Sequence, residues 1–190
     1  MINNKNLIEY HIIPIKKTNL RSDTILYSLA FIKNADISIT QDWINFGIDE
    51  NIQLSISKNG SINITTRAFE NQIDETINLL DKLAKKVISH LALTNQKFLI
   101  ELCVIETKLI NFENYLKHKF EMVNPRIINY KLNSKIKTQI MKLDDEYVIS
   151  IKGENEIEKI KEAYLNILAG NINQIEDLKI TNSVLIKTLA

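Results

Sequence analysis

The chain has one cysteine, two prolines, four glycines and one tryptophan among 190 residues. A single thiol excludes an intrachain disulfide framework and any cysteine-based metal site, which suits a reducing compartment; Cys103, inside an apolar run, reads as core filler. With 45% hydrophobic and 25% charged residues, the chain is neither fibrous nor disordered. Its wealth of Ile, Asn and Lys reflects an AT-rich genome as much as structural demand. An excess of charge of either sign is also missing: 24 Lys and Arg stand against 23 Asp and Glu, a net charge of +1. No whole-molecule field therefore recommends nucleic acid, membrane or an acidic substrate, and any basic surface must be local. No apolar run reaches the length of a membrane span, and the first residues have no basic segment leading into an apolar stretch. The expectation is a protein of the cytosol or nucleus that does not cross a membrane.

Catalytic constellations are missing as well. His11, His90 and His118 have no spacing that suggests metal ligation, no glycine-rich phosphate loop occurs, and Cys103 has no neighbouring histidine to activate it. The acidic pairs Asp49-Glu50 and Asp144-Asp145 are explained by turns. No enzyme, no cofactor and no metal are expected.

What is present is periodicity. Across residues 69–91, Ile73, Ile77, Leu80, Leu83, Ala84, Val87, Ile88 and Leu91 recur at three- and four-residue steps, opposite Glu70, Asp74, Asp81, Lys82, Lys85 and Lys86, which predicts an amphipathic helix. Residues 154–169 predict a second, shorter one, with Ile157, Ile160, Tyr164, Ile167 and Leu168 on one stripe and Glu154, Glu156 and Glu158 near its N-terminal end. Each helix follows a pair of alternating strands. Ile52, Leu54 and Ile56 alternate with Gln53, Ser55 and Ser57, then the hairpin signal Asn59-Gly60 leads to Ile62 and Ile64, which alternate with Asn63 and Thr65. In the second pair, Ile136, Ile140 and Leu143 lead through Asp144-Asp145 to Tyr147-Val148-Ile149-Ser150-Ile151.

Upstream of each pair the same elements recur: a strand over residues 8–16 and again over 97–106, a short helix over 22–33 and 112–120, then extended chain over 37–48 and 126–132. The order strand, short helix, strands, long helix thus occurs twice. Packing a long helix on one face of each half-sheet explains the alternation and leaves the other face open and polar. The expected divisions are a first repeat over residues 1–93, a second over 94–170, and an apolar tail over 171–190, which either packs back on the body or mediates self-association as a homodimer. Pro14, inside the first strand, predicts a bulge or an edge there.

Two tandem units of this order resemble the TATA-binding protein family. The stretch from Tyr147 through Gly153 into Glu154–Tyr164 is similar to that family's final strand, its glycine and its last helix. Asn34-Ala35-Asp36 is similar to the end of its first short helix, and residues 120–130, around Pro125, are similar to the matching stretch of its second half. The resemblance covers about residues 8–169. It implies an α+β saddle: one curved antiparallel sheet from two tandem strand–helix–strands–helix repeats, with the helices on the convex side. It also implies minor-groove binding by the concave face, with wedges that pry base steps apart. The wedge positions fall on Trp43, Ile56, Val123 and Met141, and the positions that read the centre of the site fall on His11 and Leu102. The groove-facing positions become Asn63, Thr65, Ser150 and Lys152, joined by Ser55, Ser57, Lys137 and Gln139, more polar than the family's valines and threonines. Lys16, Lys17, Arg21, Arg126, Lys131, Lys135, Lys137 and Lys142 are candidates for a phosphate-contacting stripe.

The leading expectation is a divergent promoter-binding transcription factor on AT-rich double-stranded DNA. It would recruit a transcription-factor-B-like protein and the RNA polymerase machinery, with Glu146 and Glu154 as partner contacts. Such a protein would work in the cytoplasm or nucleoid of an archaeal or viral system, or in a eukaryotic nucleus. Two other expectations keep the fold: a protein-interaction adaptor without strong DNA binding, and a docking module for a nucleic-acid enzyme on another chain.

Overall fold

A computed structural model of the chain describes residues 5–69, 72–106, 109–120, 127–131, 135–143, 146–155, 157–170 and 176–181. The elements run β1 (Asn6–Pro14), α1 (Ser22–Ser28), β2 (Asp36–Ile39), β3 (Trp43–Gly47), β4 (Gln53–Ser57), β5 (Ile62–Ala68), α2 (Ile73–His90), β6 (Phe98–Glu106), α3 (Ile110–Phe120), β7 (Ile127–Lys131), β8 (Lys137–Leu143), β9 (Glu146–Glu154), α4 (Ile157–Ala169) and β10 (Glu176–Thr181). All ten strands join one sheet in the order β10-β7-β8-β9-β6-β1-β5-β4-β3-β2, and every pairing is antiparallel. The protein is α+β.

The period-two alternation sets which way each strand faces. In β1, Ile8, Tyr10 and Ile12 are buried while Leu7, Glu9 and His11 are half-buried; in β6, Phe98, Ile100, Leu102, Val104 and Glu106 are buried. Tyr10 lies directly opposite Leu102, so the buried sides of β1 and β6 are the same face. Helices α2 and α4 pack on it. Helix α2 contributes Ile73, Ile77, Leu80, Ala84 and Val87, and α4 contributes Ile160, Ala163, Tyr164 and Ile167. Each isoleucine, leucine or valine among them taken out of water stabilises the fold by about 1.5–3 kcal/mol before entropy is counted.

Polar contacts fix the seam between β1 and β6 on the helix side. The Glu106 carboxylate, buried at 3% exposure, accepts a hydrogen bond from Asn6 Nδ2 at 2.6 Å and another from the Tyr164 hydroxyl. Tyr10 donates to Asp81 of α2 at 3.2 Å, and Lys161 of α4 reaches Asp74 and Asn78 of α2 at 2.9 and 3.1 Å. Burial, with Asp81 beside it, raises the Tyr10 phenol well above its usual range and keeps it a donor.

One local expectation changes, and two that offered alternatives are decided. The short helix predicted over 22–33 ends at Ser28, and the chain then turns, with Asn34 at φ 59, a left-handed conformation that asparagine tolerates. Pro14 makes no bulge but does lie at a local edge: pairing with β5 stops at Ile12, so the missing N–H falls where no neighbour is waiting on that side. The tail does pack back, at least over Glu176–Thr181, which forms the outer strand beside β7.

The Asn59-Gly60 turn is a hairpin between β4 and β5 as predicted. Gly60 has φ +89, and a Cβ there would lie 2.4 Å from Thr18 Oγ1.

Candidate docking face of the sheet

The face opposite α2 and α4 carries two polar rows that cross the strands side by side. One runs Lys137, Lys152, Glu101, His11, Asn63, Ser55, Asn45, Ser38 from β8 to β2. Its neighbour runs Gln139, Ser150, Cys103, Glu9, Thr65, Gln53, Gly47, Asp36. Beyond them lie Met141, Val148, Ile105 and Leu7 towards one end, and Ile13 opposite Leu99 towards the other.

The middle of this face is acidic and hydrogen-bonded. His11 Nε2 donates to Glu9 Oε2 at 3.2 Å. Glu101 Oε1 accepts from Ser150 Oγ at 2.7 Å and from Lys152 Nζ at 3.0 Å. Cys103 lies between the two acids; burial first, then Glu9 and Glu101, push its thiol up to about 11. Towards β2 the face turns neutral: Asn45 Nδ2 donates to Ser38 Oγ at 3.2 Å, and Asn63 Oδ1 is buried with no hydrogen-bond partner among the described residues.

The candidates named from sequence divide accordingly. Asn63, Thr65, His11, Ser150, Lys152, Lys137 and Met141 share this face, and Trp43, 36% exposed, stands on it near the β2 end. Trp43 borders a recess of about 420 Å³ shared with Thr18, Asp42, Lys58 and Asn59. Ile56 does not belong there. It is wholly buried on the helix side, opposite Ile44 and Ile62, so it cannot be a wedge. Leu102 is likewise wholly buried opposite Tyr10, and its neighbours Glu101 and Cys103 take the outer face instead. Ser57 is 2% exposed, its hydroxyl committed to Asn59 and to the Ser61 amide within the hairpin, so it offers nothing to a partner.

Glu146 and Glu154 are both exposed but stand at the two ends of β9. At the usual rise of about 3.4 Å per residue they lie about 27 Å apart and form no common acidic patch. Val123 and Arg126 lie outside the described residues.

Glu9 and Glu101 were not among the candidates, and Cys103, expected to be core filler, is instead half-buried on the open face. The signal was present: once Ile8, Tyr10 and Ile12 are taken as inward, Glu9 and His11 must face outward, and Phe98, Ile100, Leu102 and Val104 impose the same on Glu101 and Cys103.

Among the described residues no group of three or more His, Cys, Asp or Glu side chains could hold a metal ion, and no helix is long and apolar enough to cross a membrane. No protein-family profile matches the sequence, and no curated protein sequence matches it.

Proposed function

We propose that the chain is a saddle-shaped protein of the TATA-binding-protein kind, built from two tandem repeats, and that its open face docks a protein partner in transcription instead of kinking duplex DNA. The order of the four inner strands on each side supports the repeats, while the outer strands β2 and β10 come from different places in the chain. From the middle outward one side of the sheet reads β1, β5, β4, β3, β2 and the other β6, β9, β8, β7, β10.

The observation that carries the docking reading is the pair Glu9 and Glu101. A twofold axis between Tyr10 and Leu102 superimposes these two acids, with Thr65 falling on Lys152 and Gln53 on Lys137. Two carboxylates therefore occupy twin positions at the centre of the face. The floor of an A·T minor groove offers acceptors, and where narrow it concentrates negative potential. A carboxylate there gains no donor from the groove and loses its water, keeping only the partners the face itself supplies, His11 for Glu9 and Ser150 and Lys152 for Glu101, which makes its burial costly. A protein surface supplying Arg, Lys or amide donors satisfies the same groups. The loss of Ile56 as a wedge points the same way, because unstacking base steps needs apolar side chains that protrude.

One observation favours duplex DNA as a second reading: Lys137 and Lys152 on the same face as the half-exposed Trp43. A gel-shift and bending assay on AT-rich duplexes separates the two. The docking reading expects no bend and no tight complex with either wild type or Trp43→Ala, even at about 50 mM salt, where phosphate contacts are strongest. A bent complex with the wild type that Trp43→Ala weakens would overturn it.

A further inference from the structure

We infer that a recess at the β8–β9 end of the open face receives an acidic side chain from the docking partner, with an apolar residue of the same segment packing beside it. This rests on the protein-docking reading and adds to it the chemistry of what docks. The recess, about 340 Å³, is lined by Lys135, Lys137, Lys152, Leu99 and Glu154.

Three features argue for that occupant. Lys137 and Lys152 are register partners on adjacent strands of one face, and like charges placed directly opposite destabilise a sheet unless an anion lies between them. Glu101 compensates Lys152 from one side at 3.0 Å; Lys137 is exposed and has no carboxylate partner among the described residues. Leu99 also lines the recess, and its register partner Ile13, 39% exposed, continues the apolar surface onto β1. An acid flanked by an apolar side chain fits both surfaces at once.

The third feature distinguishes a peptide from a nucleic-acid backbone. Glu154 stands opposite Leu99 in the wall of the recess, and Glu101 lies next to Lys152. A duplex carries a charge about every 1.7 Å along its axis, so it would press phosphates against these two acids as well as against the lysines. One localised carboxylate needs contact with the lysines alone.

The test uses the full chain and two fluorescein-labelled peptides, one alternating Glu with Leu and its counterpart alternating Gln with Leu, read by fluorescence anisotropy at about 50 and 200 mM salt. The Glu peptide is expected to bind about tenfold tighter than the Gln peptide, as a charge-assisted contact implies, and more tightly at the lower salt. Lys137→Glu should abolish that preference. Circular dichroism checks its fold, and Lys137→Met repeats the test without reversing the charge. Equal binding of the two peptides, no binding of either, or a preference that survives both variants overturns the assignment of the recess alone. A labelled AT-rich duplex that binds with a bend and is lost in Lys137→Glu overturns the docking reading as well.

Discussion

The two sides of the sheet share the order of their four inner strands and present different chemistry. Around β3, β4 and β5 the open face is built of amides and hydroxyls, from Asn45, Gln53, Ser55, Asn63 and Thr65; around β8 and β9 it carries Lys137 and Lys152 beside Glu101. The helix face does not diverge in this way, since each side buries isoleucines under one long helix. Packing limits what the core can become, while an outward position is free to change charge without unfolding anything. The sides also differ at their rims. Strand β2 precedes its neighbour β3 in the chain, whereas β10 reaches β7 only after α4. The short helices differ too: α3 is tied to β8 and β9 through Glu113, Lys142 and Tyr147, and α1 has no side-chain cap hydrogen bond.

The sharpest way to break this comparison is at the seam the two sides share. Glu106→Leu would leave Asn6 Nδ2 and the Tyr164 hydroxyl without the acceptor that both now use. A loss of about 3 kcal/mol is expected in urea unfolding, in one transition. Two separate transitions would mean that the sides fold independently. Removing the chain from residue 176 onward tests the rims: β7 becomes an edge with unpaired backbone groups. The shortened protein should melt earlier and associate in sedimentation, and unchanged behaviour would show β10 to be dispensable.

A smaller effect sharpens the contrast between α1 and α3. The Tyr147 hydroxyl bonded to Glu113, with Lys142 at 3.1 Å, holds the Glu113 carboxyl below its usual range. A group lowered by folding adds stability above its unfolded value, about 4.3 for glutamate, and loses it as pH falls through the lower folded value. Glu113→Gln should therefore destabilise at neutral pH by under about 1 kcal/mol, since the carboxylate is partly in water, and the difference from wild type should vanish in acid. A difference that persists in acid would assign the effect to packing.

The smallest effect is on reactivity. With its thiol raised to about 11, Cys103 should react slowly with alkylating agents at neutral pH. Glu9→Gln should speed the reaction modestly, and an unaltered pH profile would mean that burial and Glu101 set it without Glu9.

Much of the fold was legible because its signals are local. The stripes of α2 and α4, the Asn59-Gly60 hairpin and the alternation in β1, β5 and β9 are each written within a few residues, and the structure has them all. The site was less legible, because a sheet position is read correctly only if its phase is right. Placing Ile56 and Leu102 on the open face is a slip of one residue, and such a slip exchanges core for surface. Glu101 and Cys103 were lost to that slip. The pairing of β10 with β7 could not be read at all, since it joins segments far apart in sequence through backbone bonds that leave no local pattern.

That late pairing has a consequence for biosynthesis. Strand β7 is finished at Lys131, but its outer partner begins at Glu176. At about 5–20 residues per second on a ribosome, the backbone of β7 waits several seconds before its own strand arrives to cover it. During that interval any extended segment in the crowd can take the vacant side, so the yield of correctly closed molecules should rise when translation downstream of Lys131 is fast.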